Sequence, residues 1–207
     1  MDVILKDLVR GIDVTGELPD AVSRLLTIKG FPKTIQHSQQ VAEEATRLAD
    51  RFNVSQQKAS QAAWLHDISV VFLVGQRIEV ARRLGIELLL AEEQNPVLIH
   101  QKISVVMAQE IFNMKDAEIL SAIGCHTTLK PSAGALDKIL FVADKIAWNQ
   151  AGNPPYVAEM AAAAQHNLDK AAFVYIRSLM ERQTSLSDPL HPWLVESYYE
   201  LKRLQIN

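Results

Sequence analysis

The chain has 207 residues but a single cysteine, Cys125, so no disulfide can form within it and a disulfide-stapled fold is excluded. A lone thiol also points to a reducing compartment. There is no basic excess: 21 Lys and Arg stand against 24 Asp and Glu, a net charge of −3 with histidine neutral. That balance argues against a nucleic-acid partner. Long hydrophobic runs are missing as well. The longest, Ile68 to Val74, already contains Ser69 and is far shorter than a bilayer span, so no membrane partner is expected. The first ten residues carry a charge every few positions, unlike the basic and then apolar segments of a secretion signal. A cytoplasmic protein is expected. Sustained apolar–polar alternation and Asn-Gly or Asp-Gly pairs are absent, which removes the usual signs of strands and hairpins.

What is present is a soluble globular composition, 48% hydrophobic and 22% charged, which rules out wholesale disorder. A chain of this length buries roughly 70% of its unfolded surface and needs no metal merely to fold. Its periodicity is helical. Val41, Ala45, Leu48 and Phe52 recur at three- and four-residue spacing. Ala59, Ala62, Ala63 and Leu65 follow the expected N-cap Ser55, after a break at Asn53 and Val54. Val97, Ile103, Met107, Ala108 and Ile111 mark a third helix after Asn95 and Pro96. Ala117 to His126 make a fourth and Leu136 to Trp148 a fifth, divided by the breaker Lys130 to Gly134. One long alanine-rich helix is predicted from Val157 to Arg182, and a last one from Pro192 to Leu204. The expectation is a compact all-α bundle forming a single domain over 1–207. Its core would span about 30–150, with an N-terminal helix in 1–29 and C-terminal helices in 155–207 packed on it.

Six histidines carry the functional signal. His37 heads the stripe of Val41 and Ala45, and His66 with Asp67 ends the small-residue face of Ala59, Ala62 and Ala63. His100 shares a face with Ile103 and Met107, His126 with Ile119 and Ala122, and Asp144 with Leu136 and Leu140. Each is polar on a face that belongs to the core, where an imidazole or carboxylate is costly unless paired or ligated. Four imidazoles and two carboxylates converging from five helices would hold two divalent ions, with iron, manganese or zinc suited to nitrogen and oxygen donors. The competing reading, core histidines bonded to backbone carbonyls, is open at each position taken singly. His166 lies beside Asp169 and Lys170, and His191 between two prolines; both are read as structural.

At these residues the chain resembles the HD superfamily of metal-dependent phosphohydrolases. His37, the dyad His66-Asp67 and Asp144 meet its minimal His…His-Asp…Asp pattern, in order. With His100 in Asn95 to His100, and His126 before Thr127 and Thr128, the chain is similar to the YqeK-type branch, which resembles diadenosine tetraphosphate hydrolases. The likeness covers about residues 30–180. It implies that Asp67 bridges two ions, with His37, His66 and Asp144 on one and His100 and His126 on the other. Asp67 and His66 become the catalytic residues, and a hydroxide bridging the ions cleaves a phosphoanhydride. Two ions and two carboxylates leave the site near +2, a local attraction for polyphosphate inside a weakly acidic protein. Lys102, Thr127, Thr128 and Lys138 are candidate substrate contacts from position, each weighed against a solvated or capping role. Trp148 is a candidate to stack on a base, weighed against a core role.

The chain departs from the family pattern around the ligands. Val70 stands where a lysine is usual, Gln101 and Leu129 where glycines are, and Lys145 to Gln150 replaces an acidic-Pro-Asn-Arg stretch. The resemblance therefore implies a nucleotide as substrate and symmetrical cleavage of diadenosine tetraphosphate to ADP. Alternatives are another mono-, tri- or cyclic nucleotide, or a non-catalytic module that binds nucleotide or metal. The alanine face from Ala158 to Ala172 packs within the chain or across a homodimer.

Overall fold

The computed structural model describes residues 1–147, 154–183 and 190–204. Among them are twelve α-helices, three short 3₁₀ turns and no strand, so the all-α expectation holds. No helix among the described residues is long and apolar enough to cross a membrane.

The N-terminal segment is two helices rather than one, α1 (Val3–Leu8) and α2 (Leu18–Ile28). Gly11 and Gly16 between them have φ of 77° and 89°, a left-handed backbone that breaks a helix. The centre is α3 (Pro32–Arg51), which buries Val41, Ala42, Ala45, Leu48 and Ala49 along one face. It ends where Asn53 takes φ 53° and the Val54 amide bonds back to the Ala49 carbonyl at 2.8 Å. That turn folds α4 (Gln56–Leu65) against α3, with the Ser55 side chain capping the Lys58 amide. Ala45 and Ala49 on one helix meet a face of Ala59, Ala62 and Ala63 on the other, and the missing bulk lets the backbones approach.

After the dyad the chain runs through 3₁₀ turns (Ile68–Val71 and Val74–Gln76) and the short helices α5 (Arg77–Arg83) and α6 (Leu90–Gln94). A third 3₁₀ turn at Pro96–Ile99 feeds α7 (His100–Glu110), and α8 (Ala117–Cys125) packs on it. Gly124 serves that contact, since a Cβ there would meet Val105 at 3.3 Å. The core is completed by α9 (Ala135–Ile146), which lies against α3, α4 and α8 and buries Leu136, Ile139, Leu140, Phe141, Val142 and Ala143.

The single helix predicted from Val157 to Arg182 is instead α10 (Tyr156–Ala163) and α11 (Leu168–Gln183). The break comes from Asn167, whose side chain accepts the Lys170 amide at 2.9 Å and starts a new helix. Met160, Ala164, Ala171 and Ala172 are buried, with α10 and α11 packed on each other and on α9, so this alanine face closes within the chain. The last helix, α12 (Pro192–Leu204), packs on α11. Trp148 and Gln150 lie outside the described residues.

Candidate metal centre

All six polar residues predicted to face inward meet at one place. His37 comes from α3, His66 caps the end of α4 with Asp67 one residue on, and His100 opens α7. His126 caps the end of α8, and Asp144 comes from α9. Three overlapping groups have donor atoms mutually within 4.8 Å: His37, His66 and Asp67; His66, His126 and Asp144; Asp67, His100 and His126.

Asp67 is the hub. Its Oδ1 lies 3.3 Å from His100 Nε2 and 3.6 Å from His126 Nε2. Its Oδ2 lies 3.5 Å from His66 Nε2 and 3.9 Å from His37 Nε2. Asp144 Oδ1 lies closest to the second pair, at 3.0 Å from His37 Nε2 and 3.7 Å from His66 Nε2. One carboxylate thus faces two donor sets and the other faces one. His66 and His126 are fully buried, while the Asp67 side chain is 27% exposed and marks the mouth of the site.

The backbone decides which ring nitrogen is offered. Nδ1 of His66 bonds the Ala63 carbonyl at 2.6 Å, that of His100 the Val97 carbonyl at 2.6 Å, and that of His126 the Ile123 carbonyl at 2.7 Å. A carbonyl only accepts, so each Nδ1 carries the hydrogen and each Nε2 points its lone pair into the centre. The Nε2 atoms of His100 and His126 are 2.9 Å apart, and those of His37 and His66 are 3.3 Å apart. Lone pairs held that close repel unless a proton or a cation lies between them. This is the donor set of a divalent metal, with carbonyls orienting the imidazoles from behind.

Without a metal, the carboxylates hold a proton on His66 in place of a cation. Burial works against charge on His66, yet Asp67 and Asp144 outweigh it and lift the imidazole to about 9. Burial dominates at His100, lowering it to about 4 against the pull of Asp67, and lowers His126 as well. Burial opposes ionisation of Asp67, but His66, His126 and His100 hold it below the ordinary carboxylate range. Asp144 is likewise held down against burial, first by Lys145 and then by His37 and His66. Both carboxylates therefore stay ionised and ready to ligate.

The four candidate substrate contacts fall in different places. Thr127 Oγ1 lies 3.1 Å from His100 Nε2, at the centre itself. Thr128 is buried and shares its hydroxyl with the Gln101 amide at 3.0 Å, and Gln101 also accepts the Thr127 amide N–H at 3.1 Å. Lys102 donates to Glu92 at 2.6 Å and to the Glu87 carbonyl at 2.9 Å. Lys138 pairs with Asp169 on α11 at 2.6 Å. His166 is exposed and His191 is buried 3.5 Å from Glu92, so neither joins the cluster.

Two cations escaped the sequence reading. Arg77 is buried and donates to the Phe72 carbonyl at 3.2 Å and to the Val97 carbonyl at 3.1 Å, the latter being the acceptor that orients His100. Lys145 is buried against Asp144. A charged residue reads as solvent-facing by default. The one available signal was that Lys145 stands one turn after Phe141, and it was masked by Lys138 and Asp137 on the same side of the helix.

The HD domain family model matches residues 34–149. The chain is 42% identical over 149 residues to an uncharacterised protein of Lactococcus lactis subsp. cremoris, covering 72% of this chain and 75% of that one. It is 30% identical over 166 residues to the symmetrical bis(5'-nucleosyl)-tetraphosphatase of Bacillus subtilis, covering 77% and 88% of the two chains. Among solved structures it is similar to a predicted HD superfamily hydrolase involved in NAD metabolism from Clostridium acetobutylicum. That likeness has a TM-score of 0.82 at 27% identity and covers 89% of this chain and 97% of the other. The family match over more than half of the chain, these likenesses and the cluster of four histidines and two aspartates agree, and the chain belongs to the HD domain family of metal-dependent phosphohydrolases.

Proposed function

We propose that the protein hydrolyses a nucleoside polyphosphate, cleaving diadenosine tetraphosphate symmetrically into two molecules of ADP. One observation carries the reading: a single carboxylate, Asp67, directs one oxygen to His100 and His126 and the other to His66 and His37. That arrangement suits two adjacent divalent ions with Asp67 between them. His37, His66 and Asp144 would hold one, and His100 and His126 the other. Iron is the first candidate, with manganese or zinc as alternatives. The relative in Bacillus subtilis is named for the symmetrical cleavage, which supports this substrate.

When bound, such ions supply a water of lowered pKa and offset the charge that builds on phosphoryl oxygens. The chain supplies everything else. The carbonyls of Ala63, Val97 and Ile123 keep three imidazoles in the tautomer that offers Nε2. Burial of His66 and His126 screens the inner side from bulk water, leaving approach over the partly exposed Asp67. The Thr127 hydroxyl, 3.1 Å from His100 Nε2, would turn to donate to a phosphate oxygen there. Water would add to one of the two inner phosphorus atoms and the P–O bond to the oxygen between them would break. The attacked half becomes one ADP, and the other half leaves as the second, the proton released by water being taken up by the leaving oxygen or by solvent.

Another nucleotide is the second reading, and Gln101 favours it. Its side-chain oxygen accepts the Thr127 amide N–H and its NH2 donates to the Thr128 hydroxyl, so neither group is left for a polyphosphate. A screen by chromatographic separation of the nucleotide products from diadenosine tetraphosphate, nucleoside mono-, di- and triphosphates and cyclic nucleotides, with iron or manganese added, tests both. ADP as the sole nucleotide product from diadenosine tetraphosphate supports the first. Turnover of only a different nucleotide supports the second. Metal bound without turnover of any leaves a binding module.

A further inference from the structure

Lys145 follows Asp144 directly in α9, and neighbouring residues on a helix point about 100° apart and do not normally meet. Here the ammonium nevertheless lies 2.6 Å from Asp144 Oδ2 and 2.5 Å from the His126 carbonyl oxygen. The rings of Phe141 and Tyr175 flank it at 4.8 and 5.6 Å, and its side chain is only 5% exposed. Removing an ammonium from water costs several kcal/mol, and a methionine would fill the same space without that cost. A charge kept there acts on what it touches.

It touches two ligand residues on two helices. Oδ2 of Asp144 is taken by Lys145, so only Oδ1 faces His37 and His66. The same ammonium holds the main chain of His126, which closes the opposite side of the centre. We infer that Lys145 is a positioning residue: it restricts Asp144 to one ligating oxygen, offsets part of that carboxylate's charge, and ties the His126 turn to α9. The inference rests on the metal-centre reading above.

The consequence runs against ordinary structural damage. Without Lys145, both oxygens of Asp144 become available to a cation, and a buried positive charge that repels it disappears. Lys145→Met should therefore bind a divalent ion at least about tenfold more tightly than the wild type. Its turnover should fall, because Asp144 holds its ion too strongly and the His126 turn is released. A packing defect would loosen metal and lower turnover together.

The test uses the full chain stripped with a chelator and titrated with Mn2+ alone, free Mn2+ being followed by electron paramagnetic resonance. kcat and KM are measured separately on the substrate found in the screen. The expected result is tighter Mn2+ binding and a kcat lowered about tenfold in Lys145→Met, with Lys145→Arg returning both towards wild type. Unchanged or weaker Mn2+ binding by folded Lys145→Met overturns the inference while leaving the metal centre standing. Failure of the wild type itself to bind Mn2+ overturns both. If circular dichroism shows Lys145→Met unfolded, Lys145→Gln replaces it and the same two results decide.

Discussion

His126→Ala separates a two-ion centre from a one-ion centre. The imidazole is buried, and its loss removes one hydrogen bond to the Ile123 carbonyl, about 0.5–1.5 kcal/mol. It also removes a lone pair held 2.9 Å from that of His100, which relieves repulsion in the metal-free protein. These effects oppose each other, so the metal-free chain should lose only about 1 kcal/mol, or about 2–4 °C in Tm for a domain of this size. Metal changes the comparison. An ion at a hundred times its Kd stabilises by about 2.7 kcal/mol, or roughly 5–11 °C. Wild type should gain two such increments as Mn2+ is titrated into chelator-stripped protein. His126→Ala should gain one, because His37, His66 and Asp144 survive while His100 is left with only Asp67. Calorimetry gives the increments, and elemental analysis of the desalted protein gives two equivalents against one. Two equivalents in the variant would refute the assignment of His126, and no metal-dependent rise in wild type would refute the centre.

Asp67→Asn should lower ADP formation from diadenosine tetraphosphate at least about a hundredfold while leaving the helical circular dichroism intact, since both donor sets lose their shared anion. Wild-type kinetics in the variant would remove Asp67 from the centre. Glu92 is fully buried, and although burial pushes its pKa up, His191, the Leu89 amide and Lys102 bring it below its usual value of 4.5. A folded-state pKa below the unfolded one gives stability that is present above about pH 4.5 and lost as pH falls through the folded value. Thermal melts between pH 3 and 6 should therefore fall more steeply for wild type than for Glu92→Gln, and parallel curves would contradict this. Leu129→Gly relieves a left-handed backbone at φ 45°, worth about 1 kcal/mol, but loses a buried side chain worth about 2–3 kcal/mol. Denaturant melts should show a net loss of about 1–2 kcal/mol, and a gain would mean the strain outweighs the packing.

The six residues of the cluster were legible because each breaks a rule: an imidazole or carboxylate on a helical stripe that should be apolar. Four of the helix ends were legible from punctuation, such as Ser55 before α4 and Asn53 after α3. Convergence was not, since stretches of eighteen to thirty-three residues between ligands leave relative placement to tertiary packing. Nor did periodicity reveal the break between α10 and α11. Alanines continue a helical pattern through Ala164, and only the side chain of Asn167, bonding its own backbone, ends it. The ion pairs of Lys102 and Lys138 were hidden for the same reason. Glu92 and Asp169 lie on other elements, ten and thirty-one residues away along the chain.

Three of the departures from the family pattern, Gln101, Leu129 and Lys145, gather at one stretch of chain once the fold is known. Gln101, in a glycine's place, bonds Thr127 and Thr128. Leu129, in another glycine's place, keeps the left-handed backbone a glycine would adopt, at φ 45°, with its amide on the Cys125 carbonyl at 2.8 Å. Its own carbonyl accepts Ser197 of α12 at 3.0 Å. Lys145 holds the His126 carbonyl from α9. Three positions scattered over forty-five residues thus all restrain Cys125 to Leu129, the turn that delivers His126 and the Thr127 hydroxyl. At Leu129 the left-handed conformation expected of a glycine is kept, and side-chain ties at Gln101 and Lys145 add restraint. Such a turn is preorganised and has little room to adjust to different phosphates, so its effect should fall on which nucleotide is accepted rather than on whether metal is held.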